Sequence, residues 1–142
     1  MIKNIIHNDE IFAIILRTSY KTDGVKFFTP DDFSQQLGYM SHPSGHVIKP
    51  HIHNTVLREV QFTNEVLFVK SGKVRVDFYD NDKVFIENQV LTKGDVILLA
   101  SGGHGFEMLE DSEMIEVKQG PYAGEMDKIR FKPVADGQVE IK

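Results

Sequence analysis

Residues 65–79 read Glu-Val-Leu-Phe-Val-Lys-Ser-Gly-Lys-Val-Arg-Val-Asp-Phe-Tyr, two segments rich in β-branched and aromatic residues around a Ser-Gly turn. The second segment alternates, with Val74, Val76 and Phe78 on one face and polar residues between them, so it predicts a strand with one side in solvent. Residues 66–69 are apolar at every position and predict a strand that is covered on both faces. The stretch therefore predicts an antiparallel β fold.

Segments of the same kind recur on both sides of this stretch, and turn-forming residues separate them. The predicted strands are residues 11–18, 35–40, 47–53, 65–70, 73–79, 83–86, 96–99, 104–109 and 114–119. Only the run Thr29-Pro30-Asp31-Asp32-Phe33 resembles a helix start, because a capping residue precedes proline and two acidic residues. The sequence predicts an all-β protein with one short helix.

The composition of the chain limits the kinds of partner. Its 142 residues fit a single domain that spans residues 1–142. A net charge of -5 argues against nucleic acid and against an anionic membrane, so a small-molecule ligand or substrate is expected. Because the chain has no cysteine, it can form no disulfide, and any metal must be bound by nitrogen and oxygen atoms.

The apolar run at residues 11–16 is too short to span a bilayer. It follows Asp9 and Glu10, where a signal peptide would carry positive charge. We therefore expect a cytoplasmic protein with no membrane contact.

Two histidines, His51 and His53, stand one residue apart in the predicted strand 47–53. Side chains at i and i+2 leave a strand from the same face, and imidazole is the commonest protein ligand for first-row metals. Glu65 and His104 lie further along the chain, each beside a predicted turn or strand, and could close the same site. The pattern indicates a metal site.

These residues fall into two blocks, Gly45-x5-His51-x-His53…Glu65-x6-Gly72 and Gly94-x5-Ala100-x-Gly102-x-His104. Together they resemble the two motifs of the cupin superfamily over roughly residues 35–119. The resemblance implies a double-stranded β-helix, or jelly-roll barrel, with an N-terminal strand extension at 1–34 and a C-terminal tail at 120–142. It also implies that His51, His53, Glu65 and His104 hold one divalent metal. The chain departs from the motifs, because more residues separate His53 from Glu65 and Ala100 replaces a proline.

The long spacing before Glu65 leaves Glu59 as an alternative carboxylate ligand, since an unbroken strand would place it on the face of the histidines. Phe106 and Met108 share the strand face of His104 and are expected to line the pocket. Gln119 and Tyr122 flank a Gly-Pro turn near the expected barrel mouth, where ordinary turn chemistry is the alternative interpretation. The remaining histidines, His7, His42 and His46, are interpreted as surface residues.

Three imidazoles and one carboxylate suit Fe, Mn, Ni, Co or Zn, and four protein ligands on an octahedral ion would leave two positions open. We therefore expect a metal-dependent enzyme that acts on a small polar metabolite, for example as an isomerase or epimerase of carbohydrates. One alternative is an Fe(II) dioxygenase-type oxidoreductase. The other is a non-catalytic small-molecule-binding or sensor protein, because the fold alone does not determine the reaction.

Strands that are apolar on both faces also predict an assembly. Val66, Phe68, Val96 and Leu98 would leave a large apolar patch in water unless something covers them. A homodimer would bury this patch. Alternatively, the N-terminal strand at residues 11–16 could lie over it within one chain.

Overall fold

A computed structural model describes residues 1–134 and shows an all-β, antiparallel architecture. Within that range the strands are β1 (Ile2–His7), β2 (Glu10–Leu16), β3 (Gly24–Phe27), β4 (Gly38–Ser41), β5 (Glu65–Ser71), β6 (Lys73–Tyr79), β7 (Phe85–Thr92), β8 (Val96–Leu99), β9 (Gly103–Met108) and β10 (Glu113–Lys118). A single-turn 3-10 helix follows at Gly124–Asp127. No helix in the described range is long and apolar enough to cross a membrane.

The strands form three separate sheets. The largest has the order β1-β2-β8-β5-β10, the second has the order β7-β6-β9, and β3 and β4 form a hairpin. Glu65 lies between Leu99 of β8 and Lys118 of β10, while His104 of β9 lies opposite Phe78 of β6. No closed barrel joins these sheets among residues 1–134.

The core lies between the five-stranded and three-stranded sheets. It consists of Ile5, Phe12, Ala13, Ile15, Leu67, Val69, Val76, Phe78, Leu91, Ile97 and Leu99. The first four belong to β1 and β2, which extend the larger sheet through β8. The N-terminal strands are thus part of the core, and they extend the sheet instead of lying over its outer face. The sequence pattern did not predict β1 or β3.

The outer face of the larger sheet is covered in part by the same chain. Leu98 is fully buried in a second cluster, in which Phe28, Phe33 and Leu37 pack over Val66 and Val96. The predicted need for a second subunit at Leu98 is therefore wrong, because the segment around β3 and β4 supplies the cover. An apolar patch remains exposed beside it, at Phe68, Ile115 and Val117.

Two predicted elements do not form. Residues 29–33 make a turn and no helix, because the Gln36 amide donates to the carbonyl oxygens of Pro30 and Phe33, which a continuing helix would need. Residues 47–53 have no regular secondary structure, and every residue from 43 to 62 is exposed. The strand predicted at 83–86 is shifted to Phe85–Thr92, since the Asp80 carboxylate accepts the amides of Asp82 and Val84 in a preceding turn.

The polar face of β6 is buried, contrary to the prediction of a solvent-exposed side. Arg75 and Asp77 are each only 3% exposed. The Arg75 guanidinium donates to both Asp77 carboxylate oxygens at 2.9 and 3.0 Å and lies 3.0 Å from Glu107 of β9. Alternation of polar and apolar residues does not reveal that the polar ones neutralise each other and can be buried.

Candidate functional site

Glu65 is the first residue of β5, and its side chain points between the sheets. It shares its strand face with Leu67 and Val69, which are core residues. This is the orientation that the sequence pattern predicts for Glu65. The Glu65 side chain is only 14% exposed to solvent, so the carboxyl lies at the edge of the core and near solvent.

His104 reaches the same place from the facing sheet. It lies on β9 with Phe106, which packs against the core, and the two rings are 5.6 Å apart. His104 Nε2 lies 3.9 Å from Glu65 Oε2. Two of the four predicted metal ligands are therefore neighbours, although they belong to different sheets.

Neither group is fully charged at neutral pH. Burial, together with a hydrogen bond to Glu116 and its negative charge, raises the pKa of Glu65 to about 7. Burial lowers the pKa of His104, and Lys128 and Lys118 act in the same direction while Glu116 opposes them. At pH 7 the imidazole is neutral and the carboxyl is partly protonated. The contact is therefore not a salt bridge, although its separation of 3.9 Å lies within the distance usual for ion pairs.

The distance between the two groups is too long for a direct bond and slightly too long for two neighbouring ligands of one ion. A separation of 3.9 Å is too long for a hydrogen bond. It is also longer than the roughly 3.0–3.4 Å between adjacent donor atoms on an octahedral or tetrahedral ion with bonds of about 2.1 Å. A neutral imidazole and a carboxylate are also suitable donors for such an ion. The two side chains thus have the donor types that a metal needs, and they would have to approach each other by about 0.5 Å or more to occupy adjacent positions on one ion.

Charged residues of β10 and the following helix complete the surroundings. Glu116 and Lys118 lie opposite Leu67 and Glu65 across the β5–β10 ladder, and therefore share the inward face. Lys118 Nζ lies 3.0 Å from an Asp127 carboxylate oxygen, which holds the 3-10 helix against β10. Thr63 donates its hydroxyl to Asp127 from the other side.

Sequence reasoning missed Glu116 and Lys118. The alternation Met114-x-Glu116-x-Lys118 in β10 is visible in the sequence. Its meaning depends on the pairing of β10 with β5, which a single sequence does not provide.

His51 and His53 are not brought to Glu65 and His104. Both are exposed, on the segment that has no regular secondary structure. They are nevertheless close to each other, with ring centroids 5.1 Å apart. His51 Nδ1 lies 2.9 Å from the Lys49 carbonyl oxygen, which can only accept, so Nδ1 carries the proton and Nε2 is free to bind a metal.

The other predicted site residues lie outside this centre or at its edge. Glu59 lines a separate cleft of about 570 Å3 with Asp9, Glu10 and Asp32. Met108 is 45% exposed and Tyr122 is 88% exposed. Gln119 is half-buried at the end of the β5–β10 ladder, where its backbone amide donates to Asn64. Among the expected lining residues, Phe106 has its ring 5.6 Å from that of His104.

Within residues 1–134, no group of three or more His, Asp or Glu side chains is arranged to hold a metal ion. The structure places two of the four predicted ligands side by side and the other two on a separate segment. Comparison of the chain with protein-family models, with curated proteins and with solved structures gave no match.

Proposed function

We propose that this chain is a cupin-like protein that binds one divalent transition metal and acts as a metal-dependent enzyme on a small polar metabolite. The observation that carries the proposal is the approach of Glu65 and His104 to 3.9 Å on inward faces of two sheets. His51 and His53 complete the ligand set. When bound, the ion would polarise a carbonyl or hydroxyl oxygen of the substrate.

The protonation states support a role in metal binding. A histidine binds a metal only as the neutral imidazole, and burial already keeps His104 in that form. The protonated Glu65 carboxyl donates a hydrogen bond to Glu116, so a cation beside Glu65 would displace the Glu65 proton. Metal binding is therefore expected to release a proton near neutral pH.

Glu116 favours proton transfer over oxygen chemistry as the reaction type. It is a second carboxylate beside Glu65 on the inward face of β10, and an ordinary ligand set does not require it. A carboxylate next to a polarised substrate can take a proton from one carbon or oxygen and return it to another. We therefore propose an isomerase or epimerase type of reaction, with Glu116 as the group that moves the proton.

The first test is metal content. Untagged protein should carry one divalent ion per chain by elemental analysis, and Glu65→Ala and His104→Ala should each lose it. Glu113→Ala, which removes an exposed carboxylate at the far end of β10 from Glu65, is the matched control and should keep the ion. Absence of metal from the wild type, even after incubation with each candidate ion, would contradict the proposal.

The second test separates the reaction types. Loaded protein is screened for sugar isomerisation and for oxygen uptake, in each case beside Glu116→Gln. Isomerisation that Glu116→Gln abolishes without loss of metal supports the proposed role of Glu116. Oxygen uptake that survives this substitution supports the dioxygenase alternative, and activity in neither screen favours a binding or sensor protein.

A further inference from the structure

The described structure separates the predicted ligands into two pairs, and this separation is itself informative. Glu65 and His104 are fixed by strands, whereas His51 and His53 lie on an exposed segment. No backbone–backbone hydrogen bond joins residues 47–63 to the rest of the described chain. The second pair must therefore move if all four residues are to share one ion.

A suitable docking surface lies next to His104. In the three-stranded sheet, β9 is an end strand and pairs only with β6 among the described strands. Half of its backbone donors and acceptors therefore point away from β6, and such an edge accepts a further strand.

The segment has the pattern of a strand that would fit this edge. Residues 47–53 contain β-branched residues at 47, 48 and 52, and His51 and His53 leave an extended chain on the same face. The two rings are already close together. If this face points inward, the two imidazoles lie on the same side of the sheet as His104, within the reach of neighbouring strands.

The chain connections permit the movement. Asn64 is anchored, because its carbonyl accepts the Gln119 amide and its side chain donates to Ser34. Eleven residues lie between His53 and Glu65. An extended tether of this length spans about 40 Å, so its reach does not limit docking.

We propose that residues 47–53 form a metal-recruited strand: undocked in the metal-free protein, and paired with the free edge of β9 when His51 and His53 join Glu65 and His104 on the ion. This inference rests on the proposed function, and it adds that the site is assembled by the metal. The metal-free protein would hold only the half-site on β5 and β9.

Hydrogen–deuterium exchange of the full chain, with and without Zn²⁺, tests the inference, because Zn²⁺ binds nitrogen and oxygen sites tightly and has no redox chemistry. Titration calorimetry on the same samples measures binding separately. Zn²⁺ should slow exchange at least tenfold both in peptides covering residues 47–53 and in those covering β9. His53→Ala and Glu65→Gln should abolish this protection, and the matched control His46→Ala should retain it.

The possible failures are distinguishable. Absence of binding of Zn²⁺ and of every other candidate ion overturns the proposed function and the inference with it. Binding without protection of residues 47–53 overturns the inference alone. Slow exchange of residues 47–53 before Zn²⁺ is added would show that the strand is already docked. Slower exchange of residues 47–53 with Zn²⁺, but no change in β9, would show that the strand docks elsewhere. Either result overturns the inference.

Discussion

The Glu65 carboxyl and the His104 imidazole face each other across the two sheets at 3.9 Å, and burial moves both pKa values toward the neutral form of each group. This arrangement is unfavourable for an isolated carboxylate, and on the proposed function a cation between the two groups would relieve it. The metal-free protein should therefore lose stability as Glu65 ionises.

We expect Glu65→Gln to stabilise the metal-free protein at high pH only. The pKa of Glu65 is raised from 4.5 to about 7, so between these values the folded chain binds more protons than the unfolded one. The free energy of unfolding then falls as the pH rises through this window. At pH 8, in the presence of a chelator, the variant should be more stable by about 3 kcal/mol, with no difference at pH 4.

Urea unfolding at several pH values measures this difference. Glu113→Gln removes an exposed carboxylate and serves as the control, with a small difference that does not vary with pH. A constant advantage of Glu65→Gln at all pH values would show that the carboxyl is not destabilised by burial.

His53→Ala should separate metal binding from folding. The His53 side chain is exposed and makes no contact with the core, so its removal should change the free energy of unfolding by less than about 0.5 kcal/mol without metal. An ion at one hundred times its dissociation constant should stabilise the wild type by about 2.7 kcal/mol and leave the variant unaffected. Thermal unfolding with and without Zn²⁺ provides the measurement, and equal stabilisation of both proteins would exclude His53 as a ligand.

Gly72→Ala should destabilise the turn between β5 and β6. Gly72 has a φ of +89°, and an added Cβ would meet the Ser112 hydroxyl and the Asp111 carbonyl, with the Ser112 Cα only 2.7 Å away. The combined backbone strain and overlap should cost about 2 kcal/mol or more. Gly45→Ala is a matched control, because Gly45 has a similar φ of +87° but nothing within 4 Å of the added atom. If urea unfolding shows the same loss of stability for Gly72→Ala and Gly45→Ala, the overlap at Gly72 is relieved at no cost.

The exposed patch of Phe68, Ile115 and Val117 should support a homodimer. These side chains are 39%, 54% and 60% exposed, and β10 is an end strand of its sheet. Light scattering should give about twice the chain mass of 16.2 kDa, and Ile115→Lys should restore the mass of one chain. Leu57→Lys, at an exposed apolar residue on the segment without regular secondary structure, should remain dimeric. A wild-type mass near 16.2 kDa would contradict the dimer.

The sequence predicted those elements whose evidence is local. Strands β5, β6, β8, β9 and β10 were predicted within about two residues because apolar patterns and turn glycines mark them. The inward direction of Glu65 follows from strand parity in the same way. Features that depend on partners were not predictable, such as the neutralisation of Arg75 by Asp77, or the position of Glu116, which requires the register of two strands.

Residues 47–53 show a different limit. Their pattern is that of a strand, but a strand also needs a neighbour, and in the described structure the segment has none. Strand propensity indicates that a segment would suit a sheet, but it does not show which strand the segment would pair with.

Residues 47–63 make no backbone–backbone hydrogen bond to the rest of the described chain, and this has a consequence for metal affinity. Ordering the backbone of seven residues costs about 7–14 kcal/mol, which is close to the 10–16 kcal/mol or so that a zinc site provides. If the metal orders residues 47–53 as proposed, the measured dissociation constant of the metal reflects the small difference between the binding free energy and the cost of ordering. A proline or glycine introduced into the connecting residues 54–63 would alter the conformational entropy of the undocked segment. Each change of about 1.4 kcal/mol in the cost of ordering would shift the dissociation constant of the metal about tenfold. The connecting residues would thereby set the metal concentration at which half of the sites are occupied, without any of them contacting the ion.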